Sequence, residues 1–179
     1  SPNFVGTIDA FINRFIVAPL YTTRTKRPAT FRDTWMSVPG TRITRAGIQG
    51  TFELSWFNLS FTDGASLNFD AIPHAQRGVA KKLTSRHVEA LQDEALATWR
   101  RQIDRGMFDA ATARQLMSDY LGEPEVRTQL QDLMGARFAE VIVDESQDCS
   151  KEDVQLLDLL RSAGVRLILV GDPDQGIYG

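Results

Sequence analysis

Two mostly apolar runs, each with one charged residue, constrain the fold of this chain more than any other feature. Residues 138–143 and 165–170 are rich in Val, Ile and Leu without alternation. Such runs are typical of strands that are buried on both faces of a parallel sheet. Between them, apolar residues repeat at helical spacing from about 151 to 162, and Ser150 with Asp153 has the form of a capping box. The sequence therefore predicts a strand-helix-strand unit with a right-handed crossover.

Acidic and amide residues follow both apolar runs. The first run leads into Asp144 and Glu145, and the second leads into Asp172 and Gln175. Because the carboxyl ends of parallel strands meet at one edge of a sheet, we expect these four side chains to converge on a ligand crevice. A carboxylate at Asp144 suits Mg²⁺, and its neighbour Glu145 suits the activation of water. Acids at the start of a helix are also stabilised by the helix dipole, which would give these residues a purely structural role. The polar residues at the second strand end favour a site for ATP and Mg²⁺ instead.

The residues at these strand ends resemble motifs of the UvrD/Rep-like DNA helicases of superfamily 1. Residues 144–148 match the Walker B pattern Asp-Glu-x-Gln-Asp of that family. Residues 171–178 match its Gly-Asp-x-x-Gln-Ser-Ile-Tyr pattern, except that Gly176 replaces the serine. Residues 6–11 are similar to its Thr-x-His-Ser/Ala-Phe element, with Asp9 in place of the histidine. The order and spacing of the three elements agree with the family.

The resemblance implies roles in binding and hydrolysing ATP for several residues. Asp144 would hold Mg²⁺ and bind the nucleotide with Asp172, and Glu145 would be the catalytic base. Gln147 would bind the nucleotide together with Asp144 and Asp172 and act as a coupling residue. Gln175 would contact the γ-phosphate, which an amide can do by donating to an oxygen or by positioning water.

The resemblance also implies two contacts with DNA. Thr7 would donate to the DNA backbone, and Tyr178 would stack on a base, because aromatic faces hold single strands without regard to sequence. A carboxylate at Asp9 would repel a phosphate, so we do not expect the DNA contact that the family's histidine makes.

The sequence contains no phosphate-binding loop, since none of its lysines is directly preceded by glycine. In the resembled family this Walker A loop precedes the element of Thr7, and arginine motifs follow Tyr178. We therefore expect the chain to be a fragment of a larger motor protein that supplies both parts. Without them, most of the electrostatic stabilisation of phosphoryl transfer is missing, and we expect the fragment alone not to hydrolyse ATP at a useful rate.

The expected fold class is α/β, a partial RecA-like parallel sheet of the P-loop NTPase type with a mostly helical insert that contains a β-hairpin. Residues 1–19 and 136–179 would belong to the motor core, the latter with the Walker B and glutamine motifs. Residues 20–135 would form an inserted subdomain similar to the 1B subdomain of the family.

Local signals predict the elements of the N-terminal half. Thr7 or Asp9 can cap a short helix that Pro19 should terminate, and residues 20–50 should be mostly irregular. Residues 1–50 carry a net charge of +5, whereas the whole chain carries −3. These cations could follow a phosphate backbone or belong to a solvated loop, and the sequence does not decide between the two.

The middle of the chain combines a hairpin with helices. Aromatic residues over 52–61 change phase, which suggests a strand interrupted by a bulge, and Asp63 with Gly64 predicts a hairpin turn. We expect these aromatics to form core instead of a base-stacking platform. Helical spacing then predicts three helices: Leu83 to near Gly106, Asp109 to Gly122, and Pro124 to Gly135.

Cysteine content and hydropathy indicate the cellular compartment in which the protein is expected. The single cysteine, Cys149, cannot form an internal disulfide, so we expect a cytoplasmic protein in which Cys149 is a small buried thiol. No apolar run approaches about 20 residues, so we expect no membrane partner. His74 and His87 show no metal-ligand spacing.

Two functions follow from these observations. The first is part of an ATP-dependent helicase or translocase that moves on single-stranded or partly duplex DNA. The second is a non-enzymatic module, in which residues 20–135 bind DNA or protein and the motor motifs are only scaffold.

Overall fold

The computed structural model describes residues 3–36 and 38–172. Its α-helices are α1 Ile8–Ile12, α2 Ala18–Thr25, α3 His74–Ala80, α4 Ser85–Asp104, α5 Ala110–Leu121, α6 Pro124–Arg137 and α7 Lys151–Ser162. A π-helical turn covers Asn13–Val17, and 3₁₀ turns cover Leu54–Trp56, Phe69–Ala71 and Ser146–Asp148. Its strands are β1 Thr30–Phe31, β2 Arg42–Ile43, β3 Phe52–Glu53, β4 Phe57–Ser60, β5 Gly64–Leu67, β6 Met107–Phe108, β7 Glu140–Val143 and β8 Arg166–Leu169.

The chain divides into two compact units. One comprises Ser1–Val17 and Ala113–Gly179, and the other comprises Ala18–Thr112. Helix α6 lies in the first of these units. The content is mixed α/β, mostly helical with short strand pairs, and the predicted α/β class is confirmed at this level. Among the described helices, none has the length and hydropathy needed to span a membrane.

The first unit contains the predicted strand-helix-strand motif. Strands β7 and β8 pair in parallel, from Glu140 beside Arg166 to Val143 beside Leu169. Helix α7 lies between them in sequence and begins with the predicted capping box, in which the Ser150 hydroxyl accepts the N–H of Asp153 at 3.1 Å. The prediction of parallel strands joined by a helix over 151–162 is confirmed, but the expectation that both strand faces are buried is wrong for this chain, because Ile142 of β7 and Leu169 of β8 are exposed.

Close packing against α6 supports helix α7. Leu156, Leu159 and Leu160 are buried along α7. A Cβ atom at Gly135 would lie 2.5 Å from the carbonyl oxygen of Ala163, so only glycine fits this approach. The prediction that α6 ends at Gly135 is wrong, because this glycine serves helix packing and does not cap the helix.

The N-terminal helix begins as predicted and ends differently. The Thr7 hydroxyl accepts the N–H of Ala10 at 3.2 Å and caps α1. Pro19 does not terminate the helical segment, which continues through the π-helical turn into α2. Pro19 is the second residue of α2, and proline is tolerated in a first turn because the N–H it lacks has little use there.

The second unit is built on helix α4 and the β4–β5 hairpin. Trp99 of α4 is buried, stacks on Phe61 with ring centroids 4.6 Å apart, and donates its Nε1–H to Thr112 Oγ1 at 2.9 Å. The aromatics of the hairpin region are core, as expected. The buried cluster consists of Trp35, Val38, Ile43, Phe52, Leu54, Trp56, Phe57, Ile72, Ala80, Leu91, Ala95 and Trp99.

The hairpin differs from the prediction at its entry. Strands β4 and β5 are antiparallel, and Ser60 pairs with Gly64 across the predicted turn. Gly64 has φ +80°, which glycine adopts without steric penalty. The interruption between β3 and β4 is the 3₁₀ turn Leu54–Trp56, so the predicted bulge is wrong. A β-bulge and a 3₁₀ turn both change the direction of a strand, so the change of phase in the aromatic pattern does not distinguish between them.

Arginines of the basic N-terminal stretch make contacts within the second unit. Arg42 lies 3.8 Å from the carboxylate of Glu53, and Arg45 lies 3.2 Å from that of Glu94. The guanidinium of Arg27 donates to the backbone carbonyl of Asp104. These three arginines therefore have partners within the second unit, although the side chains of Arg42 and Arg45 are largely exposed.

Candidate functional site

The carboxyl ends of β7 and β8 bring together acids from both strand ends. Asp144 directly follows β7, and Asp172 lies three residues beyond the end of β8. Both residues are exposed. Oδ1 of Asp144 accepts the backbone N–H of Glu145 at 3.0 Å, which fixes the carboxylate, and its second oxygen can reach a cation or a cation-bound water. A hard carboxylate oxygen of this kind fits Mg²⁺, which usually keeps several of its waters.

Glu145 has an unusual backbone conformation. Its φ and ψ are +50° and +43°, in the left-handed region. For a residue other than glycine this conformation costs about 1–2 kcal/mol, and such strained residues cluster at functional sites. The Glu145 carbonyl accepts the N–H of Asp148 at 2.9 Å, so the 3₁₀ turn that follows holds the backbone in place. The exposed carboxylate is therefore presented on a defined turn.

The amide of Gln147 joins the two strand ends. Its Nε2 donates to Glu145 Oε2 at 2.5 Å, and its Oε1 accepts the backbone N–H of Asp172 at 3.3 Å. A Cβ atom at Gly171 would lie 2.5 Å from this Oε1 and 2.8 Å from Ser146 Oγ. A glycine at position 171 thus makes room for the bridge between the strands.

Arg114 of α5 pairs with two acids of the first unit. Its Nη1 lies 2.5 Å from Asp9 Oδ1, and its Nε lies 3.0 Å from Asp153 Oδ1. Burial alone would raise the pKa of Asp153, but hydrogen bonds from Arg114 and Ser150, together with the Arg114 charge, outweigh burial and lower this pKa. Burial likewise opposes the charge on Arg114, yet the neighbouring carboxylates raise its pKa. The pair of Arg114 with Asp153 is therefore charged at neutral pH.

This ion pair explains the residue that departs from the family pattern. The carboxylate of Asp9 faces the guanidinium of Arg114 and is held within this unit. The hydroxyl oxygen of Thr7 accepts the cap bond, so its hydrogen can still be donated. Sequence reasoning missed Arg114; the acid at position 9, in place of the family's histidine, was the signal that could have pointed to a neighbouring cation.

Three residues singled out in the sequence remain: Gln175, Tyr178 and Cys149. Gln175 and Tyr178 lie outside the described residues, so their roles stay predictions. Burial, together with the carboxylates of Asp153 and Asp148, raises the pKa of the Cys149 thiol, which disfavours the thiolate. Cys149 is half-buried.

Neither histidine has a metal-ligand setting. Nδ1 of His87 accepts the N–H of Thr84 at 3.5 Å in the capping box of α4, and His74 is exposed at the start of α3. Within residues 3–36 and 38–172, no group of three or more His, Cys, Asp and Glu side chains is arranged to hold a metal ion.

Comparison with known proteins shows the family. The sequence model of the UvrD/REP helicase N-terminal domain matches residues 68–179, more than half of the chain. The chain therefore belongs to the UvrD/REP helicase N-terminal domain family, and the resemblance seen in the motifs is confirmed. This is a family of helicase-type DNA enzymes.

A curated relative is the RecBCD enzyme subunit RecB of Borreliella burgdorferi. It is 38% identical over 42 residues, which cover 24% of this chain and 4% of that subunit. The chain thus matches only a small part of the length of this relative. No solved structure matches the chain.

Proposed function

We propose that this chain is part of the ATP-binding half of a DNA helicase or translocase, which couples ATP hydrolysis to movement on single-stranded DNA. Membership of the helicase family supports the class of enzyme. The observation that carries the proposal is the parallel pairing of β7 with β8, which brings Asp144, Glu145 and Asp172 to one edge of a sheet. In this proposal the edge belongs to a RecA-like motor core, and residues 20–135 form the inserted 1B-like subdomain.

Each residue at this edge has a chemical task in the proposal. Mg²⁺ would be held by Asp144, directly or through water, and would neutralise charge on the phosphates of ATP. Glu145 would accept a proton from the attacking water as the phosphoryl group is transferred. Gln147 would report the state of this site to the second strand end, since its amide already bonds to Glu145 and to the backbone of Asp172. Gln175 would contact the γ-phosphate.

The proposed partners are DNA and the rest of the motor protein. Thr7 and Tyr178 would contact single-stranded or partly duplex DNA, in a cytoplasmic setting. The Walker A loop and the arginine motifs would complete the nucleotide site, because phosphoryl transfer depends on cations around the phosphates.

The test is ATP hydrolysis by the complete protein. With a single-stranded oligonucleotide present, we expect magnesium-dependent turnover of about 1–100 s⁻¹, the range typical of kinases, and much slower turnover without DNA. The isolated 179-residue chain should show no useful turnover under either condition. DNA binding without turnover by the complete protein would favour the non-enzymatic module instead.

A substitution at Gly171 tests the bridge between the strands. In Gly171→Ala the new methyl group would displace the Gln147 amide, so we expect ATP hydrolysis by the complete protein to fall by about tenfold or more, the effect of losing about 1.4 kcal/mol of transition-state stabilisation. Thermal stability should change little, because the displaced atoms are the ends of side chains. Kinetics and a melting curve of the same sample measure both effects.

Gly78→Ala is the matched control for this variant. A Cβ atom at Gly78 meets nothing within 4 Å, so the same chemical change should leave hydrolysis intact. Unchanged hydrolysis in Gly171→Ala would show that the Gln147 bridge does not contribute to turnover.

A further inference from the structure

Arg114 binds two carboxylates that come from different parts of the sequence. Asp9 lies in the first turn of α1, two residues after Thr7, and Asp153 lies in the first turn of α7. We propose that Arg114 is a positioning residue that couples the Thr7 element to α7 and so sets how strongly DNA stimulates ATP hydrolysis. This inference rests on the proposed function and adds to it a residue that lies outside the recognised motifs.

The geometry uses the whole guanidinium group. Nε and Nη2 of Arg114 donate to Oδ1 and Oδ2 of Asp153 at 3.0 and 3.4 Å, which is a bidentate pair. Nη1 is left for Asp9 Oδ1, at 2.5 Å. Only arginine presents donors in a rigid planar fork, whereas the compact ammonium of lysine cannot reproduce the bidentate pair. The site therefore depends on the shape of the cation as well as its charge.

Burial strengthens the Asp153 side of the network. The side chain of Asp153 is 4% exposed and that of Arg114 is 23% exposed, whereas that of Asp9 is 39% exposed. Because the Arg114–Asp153 pair is largely removed from water, its charges interact more strongly and are screened less by salt than those of surface pairs. Without Arg114, the carboxylate of Asp153 would be buried without its cation, which favours local rearrangement of the helix start.

The network joins the two elements that the proposed reaction needs to connect. On one side, Asp9 links Arg114 to α1, and the N-cap of this helix is Thr7, the proposed DNA contact. On the other side, Asp153 accepts the backbone N–H of Ser150 at 2.9 Å, and Ser150 follows closely on the turn Ser146–Asp148 that contains Gln147. A shift of α1 when DNA binds would thus be transmitted to the acidic motif through one side chain.

The experiment measures DNA stimulation of the complete protein, defined as the ratio of ATP hydrolysis with a saturating single-stranded oligonucleotide to hydrolysis without it. In Arg114→Gln we expect this ratio to fall by about fivefold or more, the lower end of typical coupling between sites. Hydrolysis without DNA should stay within about twofold of wild type, a change below about 0.5 kcal/mol in the barrier.

Arg161→Gln is the matched control. It makes the same substitution on α7 and breaks an exposed pair with Asp158, so the ratio should not change. Arg114→Lys keeps the charge but not the fork, and it should recover only part of the ratio. A wild-type ratio in Arg114→Gln would overturn the proposal, and so would an equal loss of stimulated and unstimulated hydrolysis, which indicates only structural damage.

A double substitution tests whether Asp9 and Arg114 act as one unit. Asp9→Asn should lower the ratio as Arg114→Gln does. Combining the two should lower it no further, because both remove the same interaction. Additive losses would show that the two residues act independently and would contradict the coupling.

Hydrogen exchange separates this proposal from the proposed function. In the complete protein without nucleotide or DNA, Arg114→Gln should accelerate amide exchange in both 7–12 and 150–156, whereas Arg161→Gln should not accelerate it in the first segment. A complete protein that never hydrolyses ATP would refute the proposed function and with it the effect on DNA stimulation, whereas the exchange result would still decide whether Arg114 couples the Thr7 element to α7. Unchanged exchange in either segment would overturn that role.

Discussion

In the complete protein, replacing Glu145 with glutamine should lower ATP hydrolysis by about 10²–10⁴-fold, the usual contribution of a general base. The amide has nearly the shape of the carboxylate, and its oxygen can still accept the bond from Gln147 that Glu145 accepts at 2.5 Å. Nucleotide binding should therefore survive, because the substitution removes a proton acceptor and leaves the geometry in place. Steady-state hydrolysis and binding of a fluorescent ATP analogue measure the two effects separately.

Glu140→Gln is the control for this prediction. It makes the same change on strand β7, where Glu140 pairs with the exposed Arg166 at 3.3 Å. Surface pairs of this kind contribute about 0–1 kcal/mol, so hydrolysis should hardly change. Normal turnover in Glu145→Gln would exclude this residue as the base, and parallel loss of nucleotide affinity would point to a role in binding instead.

Trp99→Ala should destabilise the second unit by about 3–5 kcal/mol, the usual range for removing a buried aromatic residue. Trp99 is fully buried, and its loss would leave a cavity beside Phe61 and deprive Thr112 of its hydrogen-bond donor. Several kcal/mol is a large fraction of the stability of a domain of this size. Urea unfolding of the 179-residue chain measures the change in free energy.

The tryptophans allow this unit to be observed alone. All three in the chain, Trp35, Trp56 and Trp99, belong to the unit Ala18–Thr112. Trp35 and Trp56 therefore still report its unfolding by fluorescence when Trp99 is absent. Arg100→Ala, at the exposed neighbouring position, should change the free energy of unfolding by less than about 0.5 kcal/mol. An equally small change in Trp99→Ala would show that the core closes around the lost ring.

Local patterns were sufficient to predict the strand-helix-strand unit. The unalternating apolar runs and the capping box of Ser150 and Asp153 are short-range signals that tertiary contacts reinforce. The predicted hairpin turn at Gly64 succeeded for the same reason. The prediction that the helix ends at Pro19 failed because a π-helical turn precedes this residue and a new helix begins directly after the turn. No residue preference identifies such a turn.

The contacts that organise the candidate site were not visible in the sequence. Asp9, Arg114 and Asp153 are far apart along the chain, and only folding brings them together. The bridge of Gln147 to the backbone of Asp172 also depends on the register of two parallel strands. Motifs identify the residue types that such a site needs, but the partners of each side chain are fixed by long-range packing.

At Glu145, the left-handed backbone and the proposed chemistry favour different residues. Glycine would adopt this conformation without steric penalty, so a glycine there would make the turn easier to form. It would also remove the carboxylate on which the proposed reaction depends. We infer that glutamate occupies this turn for its side chain, and that selection for stability alone would replace the residue to which the proposed reaction assigns the base.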